Sequence, residues 1–337
     1  MTGNLRIRGV LNSEPVDRTP VMASFIAAGA EWRNIPQSRI HQDVDALVST
    51  LLGLSEEFGL DGAYISSDNW VIHSALGGEV EFVHDDEPRG HRPVLEDWRK
   101  LEYLKVPVPD CAERMSFMLT AARQAVARNH SGLFLEANID SGPFQMAGIL
   151  RGTEQLMVDL VMDTVNVHRL LEFCAEVARR YGAAMARTGV DAVQFGDSTA
   201  SLVSRKMYEE FVEPYQKSVV AAIREAGAYP FLHVCGNSNH LSRQLGASGA
   251  ACVEIDGPAD LARTLDAVAN RVAIRGNIPT TLLQRGTPQE VGRQAEECLR
   301  TFRRKRCSQF KTHVLQYLAK RGDALGSQST QLGAKSR

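Results

Sequence analysis

The sequence predicts an α/β protein built as a (β/α)8 TIM barrel, with an N-terminal helical segment and a β-hairpin and loop inserted after the second strand. Three observations carry that reading. Short apolar runs alternate with longer stretches of helical periodicity along most of the chain. Polar residues recur at the C-terminal ends of successive runs, the rim where such barrels keep their chemistry. The glycine fingerprint G-x-G-x-x-G of the competing doubly wound sheet is absent.

Each element follows from local pattern. Leu5 to Leu11 reads as a helix running into a turn at Glu14-Pro15, and Val21 to Phe25 as the first strand. From Asp43 to Phe58, apolar residues at Val44, Leu47, Val48, Leu51, Leu52 and Leu54 have the spacing of a core-facing helix. Ala63 to Ser66 is the second strand. Residues 77–109 alternate at Glu79-Val80-Glu81-Phe82-Val83 and are otherwise rich in prolines and acids, so they read as a hairpin and long loop. A helix over Ala112 to Arg128 precedes a strand at Leu133 to Ala137. Two helices follow, one through Leu150 and one from Thr153 to Thr188. Ala192 to Asp197 is the fourth strand, and a helix over Tyr208 to Ala226 leads to the fifth, which begins at Tyr229. Ala251 to Asp256 and Val272 to Asn277 are the sixth and seventh, with a helix through Val268 between them and another from Pro288 to Phe302. Cys307 to Leu315 is the expected eighth strand. Residues 1–318 then make one barrel domain, and 319–337 a basic flexible tail.

Composition narrows the function classes. With 44% hydrophobic and 23% charged residues in a chain of 337, a large globular core is expected. Apolar runs stop well short of the about 20 residues of a membrane span, and no signal-peptide core opens the chain. Six dispersed cysteines fit a reducing cytoplasm better than a disulfide framework. A net charge of −2 exerts no general pull on nucleic acid or membrane. The charge is uneven: Arg300 to Arg337 holds ten Lys and Arg against one acid, Asp323.

The fifth strand carries the densest chemistry. It runs Tyr229-Pro230-Phe231-Leu232-His233-Val234-Cys235-Gly236-Asn237. Residues two apart on a strand share a face, so an imidazole and a thiol are presented together, half of a tetrahedral zinc set. A buried cysteine beside a satisfied histidine would produce the same pattern. Other rim positions join the pair: Asp68, Asn138, Asp140, Asp197, Ser198, Asp256 and Asn277.

Four passages extend this to a family. Ser67-Asp68-Asn69-Trp70-Val71-Ile72 precedes Ala75-Leu76-Gly77-Gly78, and Ser141-Gly142-Pro143-Phe144-Gln145 forms a loop. Gly196-Asp197-Ser198-Thr199-Ala200-Ser201 precedes Phe211-Val212-Glu213-Pro214-Tyr215, and His233-Val234-Cys235-Gly236-Asn237 comes last. In this order the passages resemble the uroporphyrinogen decarboxylase superfamily, and within it the zinc-dependent corrinoid methyltransferases of the methylcobamide:coenzyme M type. The likeness runs from about residue 6 to about residue 300. It implies a methyl group moved from a methylated corrinoid (cobalamin) on a partner protein to a zinc-activated thiol or to tetrahydrofolate. It also implies Zn2+ on His233 and Cys235, Asp68, Asp197 and Asn138 in catalysis, and Gly142, Pro143, Phe144, Ser198, Asp256 and Asn277 in binding.

Two departures bear on the choice within the superfamily. The arginine-rich loop with which the decarboxylases meet a porphyrinogen's carboxylates is replaced by Ser24-Phe25-Ile26-Ala27-Ala28-Gly29-Ala30-Glu31-Trp32. A cluster of carboxylates needs several guanidinium forks, so uroporphyrinogen decarboxylation is the alternative reading. The family's third zinc ligand is a cysteine in a Gly-Cys context on the last strand, and no such dipeptide follows Cys298. Cys307 takes that place, with His313 the second candidate. Failing both, the chain would be a non-catalytic barrel with an impaired zinc site.

Overall fold

A computed structural model describes residues 1–304, apart from residue 270, and the backbone of residues 316–317. The helix Gly3–Asn12 opens the chain, its first turn capped by Thr2. Strand β1 is Val21–Met22 and β2 Gly62–Ile65. A small antiparallel pair, β3 Val80–Glu81 with β4 Arg89–Gly90, forms the inserted hairpin. Then come β5 Phe134–Ser141, β6 Ala192–Gly196, β7 Tyr229–Val234, β8 Cys252–Ile255, β9 Ala273–Arg275 and β10 Gln316–Tyr317. Six strands form one parallel sheet in the order β2-β5-β6-β7-β8-β9, and β10 pairs parallel with β1. Every step between sheet neighbours crosses over through helix, the connection parallel strands require. The arrangement is the (β/α)8 barrel.

Helix limits follow capping chemistry. Asp43 accepts from the amides of Asp45 and Ala46 at 2.9 and 3.1 Å, so it caps the helix Val44–Glu57 rather than opening it as the sequence reading has it. Two helices read as continuous are split. Asp163 caps Thr164–Ala186 and separates it from Thr153–Met162. Pro214, which lacks an amide hydrogen, sits at the start of Glu213–Glu225 and separates it from Arg205–Phe211. The helices Ile26–Arg33, Gln37–Gln42, Val71–Ala75 and Thr280–Arg285 are additions to the sequence reading; each is eight residues or fewer, too short for periodicity to reveal. The expected eighth strand over 307–315, Cys307, His313 and the tail over 319–337 lie outside the described residues.

The barrel interior is built in tiers, because every second residue of a strand points inward. Its floor is apolar: Met22, Phe134, Ala192, Phe231, Cys252 and Ala273 pack together, closed from below by Ile7 of the first helix. Two residues further along β5 to β9 come Glu136, Gln194, His233, Glu254 and Arg275, joined by Tyr64 of β2. Two further again come Ser66, Asn138, Gly196, Cys235, Asp256 and Asn277, which line an open cavity of about 720 Å³ at the C-terminal rim. The main hydrophobic core lies outside the sheet, between strands and helices. No described helix is long and apolar enough to cross a membrane.

Candidate active site

The middle tier is a chain of buried charges. Arg275, 1% exposed, lies between two carboxylates: it pairs with Glu136, one of its nitrogens 2.9 Å from Oε1, and with Glu254. Gln194 donates from Nε2 to Glu254 at 3.0 Å and accepts from the Tyr64 hydroxyl at 2.6 Å. Burial pushes the Glu136 carboxyl up, more than Arg275 lowers it. Burial also works against the Glu254 carboxylate, but Arg275 and His233 flank it and hold it down to about 2. Of the two acids sharing Arg275, Glu136 is thus pushed up and Glu254 held down.

Glu254 carries this order to the upper tier. Its Oε1 lies 3.1 Å from His233 Nδ1, and the other ring nitrogen of His233 is 2.8 Å from Cys235 Sγ. Strand β7 ends at Val234, so Cys235 stands one residue beyond it, yet it keeps the inward side that alternation assigns. Gly236 has φ +71°, the left-handed region where side chains are strained, and its amide donates to Asp256 Oδ2 at 3.0 Å. That turn lifts the chain away immediately after the thiol. Ser198 donates from Oγ to Cys235 Sγ at 3.0 Å.

The electrostatics favour a thiolate. Burial opposes the charge on Cys235, but His233 and the Ser198 hydroxyl outweigh it and bring the thiol below its ordinary value. For His233 burial again opposes the charge, and Glu254 and Cys235 raise it to about 10. A carboxylate facing the far nitrogen of a histidine, whose near nitrogen meets a thiolate, is the outer-shell arrangement that orients metal ligands. One imidazole and one thiolate suit zinc. Among the described residues no group of three or more His, Cys, Asp or Glu side chains is arranged to hold a metal. His233 and Cys235 are two donors of a set whose third expected member, Cys307, lies outside those residues.

The remaining candidates divide into two groups. Asn138, Ser198, Asp256 and Asn277 line the cavity. Asn138 donates to Ser66 Oγ at 3.3 Å and accepts from the Asp140 amide at 3.0 Å, while Asn277 donates to the Ala259 carbonyl at 2.5 Å. Asp68 and Asp197, expected in catalysis, do not line it. Asp68 is buried against Arg114, accepts from Ser67 Oγ at 2.6 Å and caps the Trp70 amide at 2.9 Å, so it ties the β2 loop to the helix Glu113–Arg128. Asp197 accepts from the Gln145 amide at 2.6 Å and from Gln216 at 3.0 Å, holding the start of the helix Pro143–Arg151. Gly142 serves the same junction, since a Cβ there would stand 2.8 Å from the Asp197 carboxyl carbon. Pro143 and Phe144 are buried and pack in the core rather than in the cavity.

Glu136, Gln194, Glu254 and Arg275 were missed at the level of sequence. The signal existed: each is a polar residue that directly follows two apolar ones in its strand, and two acids with one base on inward positions can satisfy one another.

The chain is similar over most of its length to known proteins. A family model described as uroporphyrinogen decarboxylase (URO-D) matches residues 2–317. The chain is 30% identical over 305 residues to the methylcobamide:CoM methyltransferase MtbA of Methanosarcina mazei, covering 87% of this chain and 88% of that one. It is 27% identical over 337 residues to the uroporphyrinogen decarboxylase of Xanthomonas oryzae, covering 94% and 92%. Among solved structures, a methyltransferase from Methanosarcina mazei superposes with a TM-score of 0.84 over 99% of this chain and 98% of that chain, at 19% identity.

Proposed function

Since the chain belongs to the uroporphyrinogen decarboxylase (URO-D) family, we propose that it is a methyltransferase that moves a methyl group from a methylated corrinoid on a partner protein to a thiol activated on zinc, or to tetrahydrofolate. The observation that carries this reading is the convergence of His233 and Cys235 at the cavity, with Glu254 behind the imidazole. Both MtbA relatives support it by name.

His233 and Cys235 would hold the ion, with Cys307 the third protein ligand. Zinc with an open position binds a thiol sulfur and makes loss of its proton easier near neutral pH. Glu254, fixed by Arg275 and Gln194, keeps the His233 ring turned so that Nε2 faces the cavity. Ser198 orients the cysteine sulfur, and Asn138 and Asn277 supply polar wall without charge. With a thiol acceptor, a carbon–cobalt bond would be exchanged for a carbon–sulfur bond, the bonding pair staying on cobalt as Co(III) becomes Co(I), and the thiol proton would leave to solvent.

The test is metal content followed by turnover. The purified protein is expected to hold about one zinc per chain, to lose it on Cys235→Ala, and to demethylate methylcobalamin only when a thiol or tetrahydrofolate is added. A zinc-free protein with full methyl transfer would sink the reading. The second reading, uroporphyrinogen decarboxylation, is favoured by relatives of that name. Against it, no Lys or Arg among the described residues lines the cavity, whereas a substrate with many carboxylates needs several cationic forks. Carbon dioxide release from uroporphyrinogen would reverse the choice.

A further inference from the structure

We propose that Gln145 and Ser198 form a relay that protects the Cys235 sulfur from methylation, so that the methyl group goes to the acceptor and not to the protein. This rests on the zinc reading above and deepens it. Cys235 lines the same cavity that a methyl donor has to enter. A thiolate held on a metal has already lost its proton and is still a nucleophile. The ligand sulfur and an acceptor sulfur are therefore chemically alike, and the site has to make them differ.

A hydrogen bond supplies the difference. Ser198 donates from Oγ to Cys235 Sγ at 3.0 Å. A donor on a thiolate draws charge from the sulfur, and nucleophilicity falls with basicity. Ser198 is held in place from both sides. Its amide donates to Gln145 Oε1 at 2.8 Å, and its carbonyl accepts from Ser201 Oγ at 3.1 Å. Ser201 in turn lies against the bend that follows the thiol, since a Cβ on Gly236 would stand 3.3 Å from its hydroxyl. Gln145 grips the same loop a second time, its own amide donating to Asp197 Oδ1 at 2.6 Å. The Asp197 amide then donates to the His233 carbonyl at 2.8 Å. One glutamine thus sets the loop after β6 against both zinc donors at the end of β7. Gln145 is a positioning residue, and it acts on the sulfur through Ser198.

The experiment treats the zinc-loaded full chain with methyl iodide in the absence of any acceptor. The sulfur pair forms the new carbon–sulfur bond, the carbon–iodine bond breaks, and iodide leaves with its pair. Methylation is followed at the Cys235 peptide by mass spectrometry, with the exposed Cys111 as the reference for reagent strength. Ser198→Ala is expected to speed methylation of Cys235 by about three- to tenfold, the factor that one hydrogen bond to a charged group gives a nucleophile. Gln145→Met should speed it by up to the same factor, but should add nothing in the Ser198→Ala background. Ser198→Thr keeps the hydroxyl and should stay near the wild-type rate. With cobalt in place of zinc, Ser198→Ala and Gln145→Met should move the sulfur-to-cobalt charge-transfer band to lower energy, a shift that loosened packing alone does not produce. Cys235 methylated no faster in Ser198→Ala than in wild type overturns the proposal and leaves the zinc reading standing. So does a Gln145→Met effect that is equally large with and without the Ser198 hydroxyl. A wild-type chain that binds no zinc overturns that reading, and the proposal with it.

Discussion

The floor of the barrel and the tier above it stand two residues apart on the same five strands, yet they are held together by opposite physics. Phe134, Ala192, Phe231, Cys252 and Ala273 form a dry plug whose stability scales with the area and volume they fill. Glu136, Gln194, His233, Glu254 and Arg275 form a layer in which each charge is tolerable only because its neighbour is present. The plug contributes stability and has no direction. The charged tier contributes little net stability, but it aims: it transmits the position of Arg275 through Glu254 to the His233 ring. A site that must present one nitrogen and one sulfur to a common point needs the second kind of layer, seated on the first.

Breaking the charged tier should therefore have the largest effect. Arg275→Met keeps the bulk of the side chain and leaves Glu136 and Glu254 buried without their shared cation. Removing one partner of such a network typically costs about 3–5 kcal/mol. Urea unfolding is expected to show that loss, and adding Glu136→Gln should recover part of it because one stranded carboxylate is gone. The zinc content should fall as well, since Glu254 is released from the imidazole. If Arg275→Met unfolds like wild type and keeps its zinc, the tier does not aim His233.

Asp140 tests the same contrast at the upper rim through pH. It is buried, with φ +71° and its carboxyl pushed up to about 7, burial being the main cause. The unfolded chain releases this proton near 3.8, so between those values the native state holds more of it. The stabilisation of the protonated form is complete below 3.8 and is lost as pH rises through about 7. A gap of about three pKa values corresponds to at most about 4 kcal/mol. Asp140→Asn can keep both hydrogen bonds, its oxygen accepting from Ile72 and its amide donating to Ser141. The variant should thus gain on wild type as pH rises from 4 to 8 in paired urea titrations. A constant difference across that range would mean that Asp140 is ionised throughout.

How much of this was legible in the sequence follows from the same division. The alternation of strands and helices, and His233 with Cys235 on one face, could be read because period-2 and helical patterns are local. The helix breaks at Asp163 and Pro214 rest on single residues inside long periodic stretches, where periodicity outweighs one cap. Asp68 and Asp197 are expected in catalysis from the family resemblance. Their side chains meet Arg114 and the start of the helix Pro143–Arg151, partners 46 residues from Asp68 and 52 from Asp197 that no local pattern announces. The Glu136–Arg275 pair spans 139 residues and was hidden for the same reason. Local chemistry could be read; pairing across the barrel could not.

The smallest expected effect belongs to the floor. Phe231 stacks on Phe134 at 6.1 Å between ring centres and lies beneath Arg275, whose guanidinium carbon is 5.5 Å from the Phe231 centroid. Phe231→Leu keeps the residue apolar and removes part of its volume, a change that costs about 1–2 kcal/mol, between the Ile→Val and Phe→Ala losses of packed cores. The loss should be the same at pH 5 and pH 8, because no titrating group is exposed or stranded. Zinc content should stay that of wild type, since the ion pairs from Arg275 to Glu254 do not depend on the ring beneath them. A Phe231→Leu protein that loses metal or becomes pH-sensitive would show that the plug also directs the charges above it, and the separation of roles between the two tiers would fail.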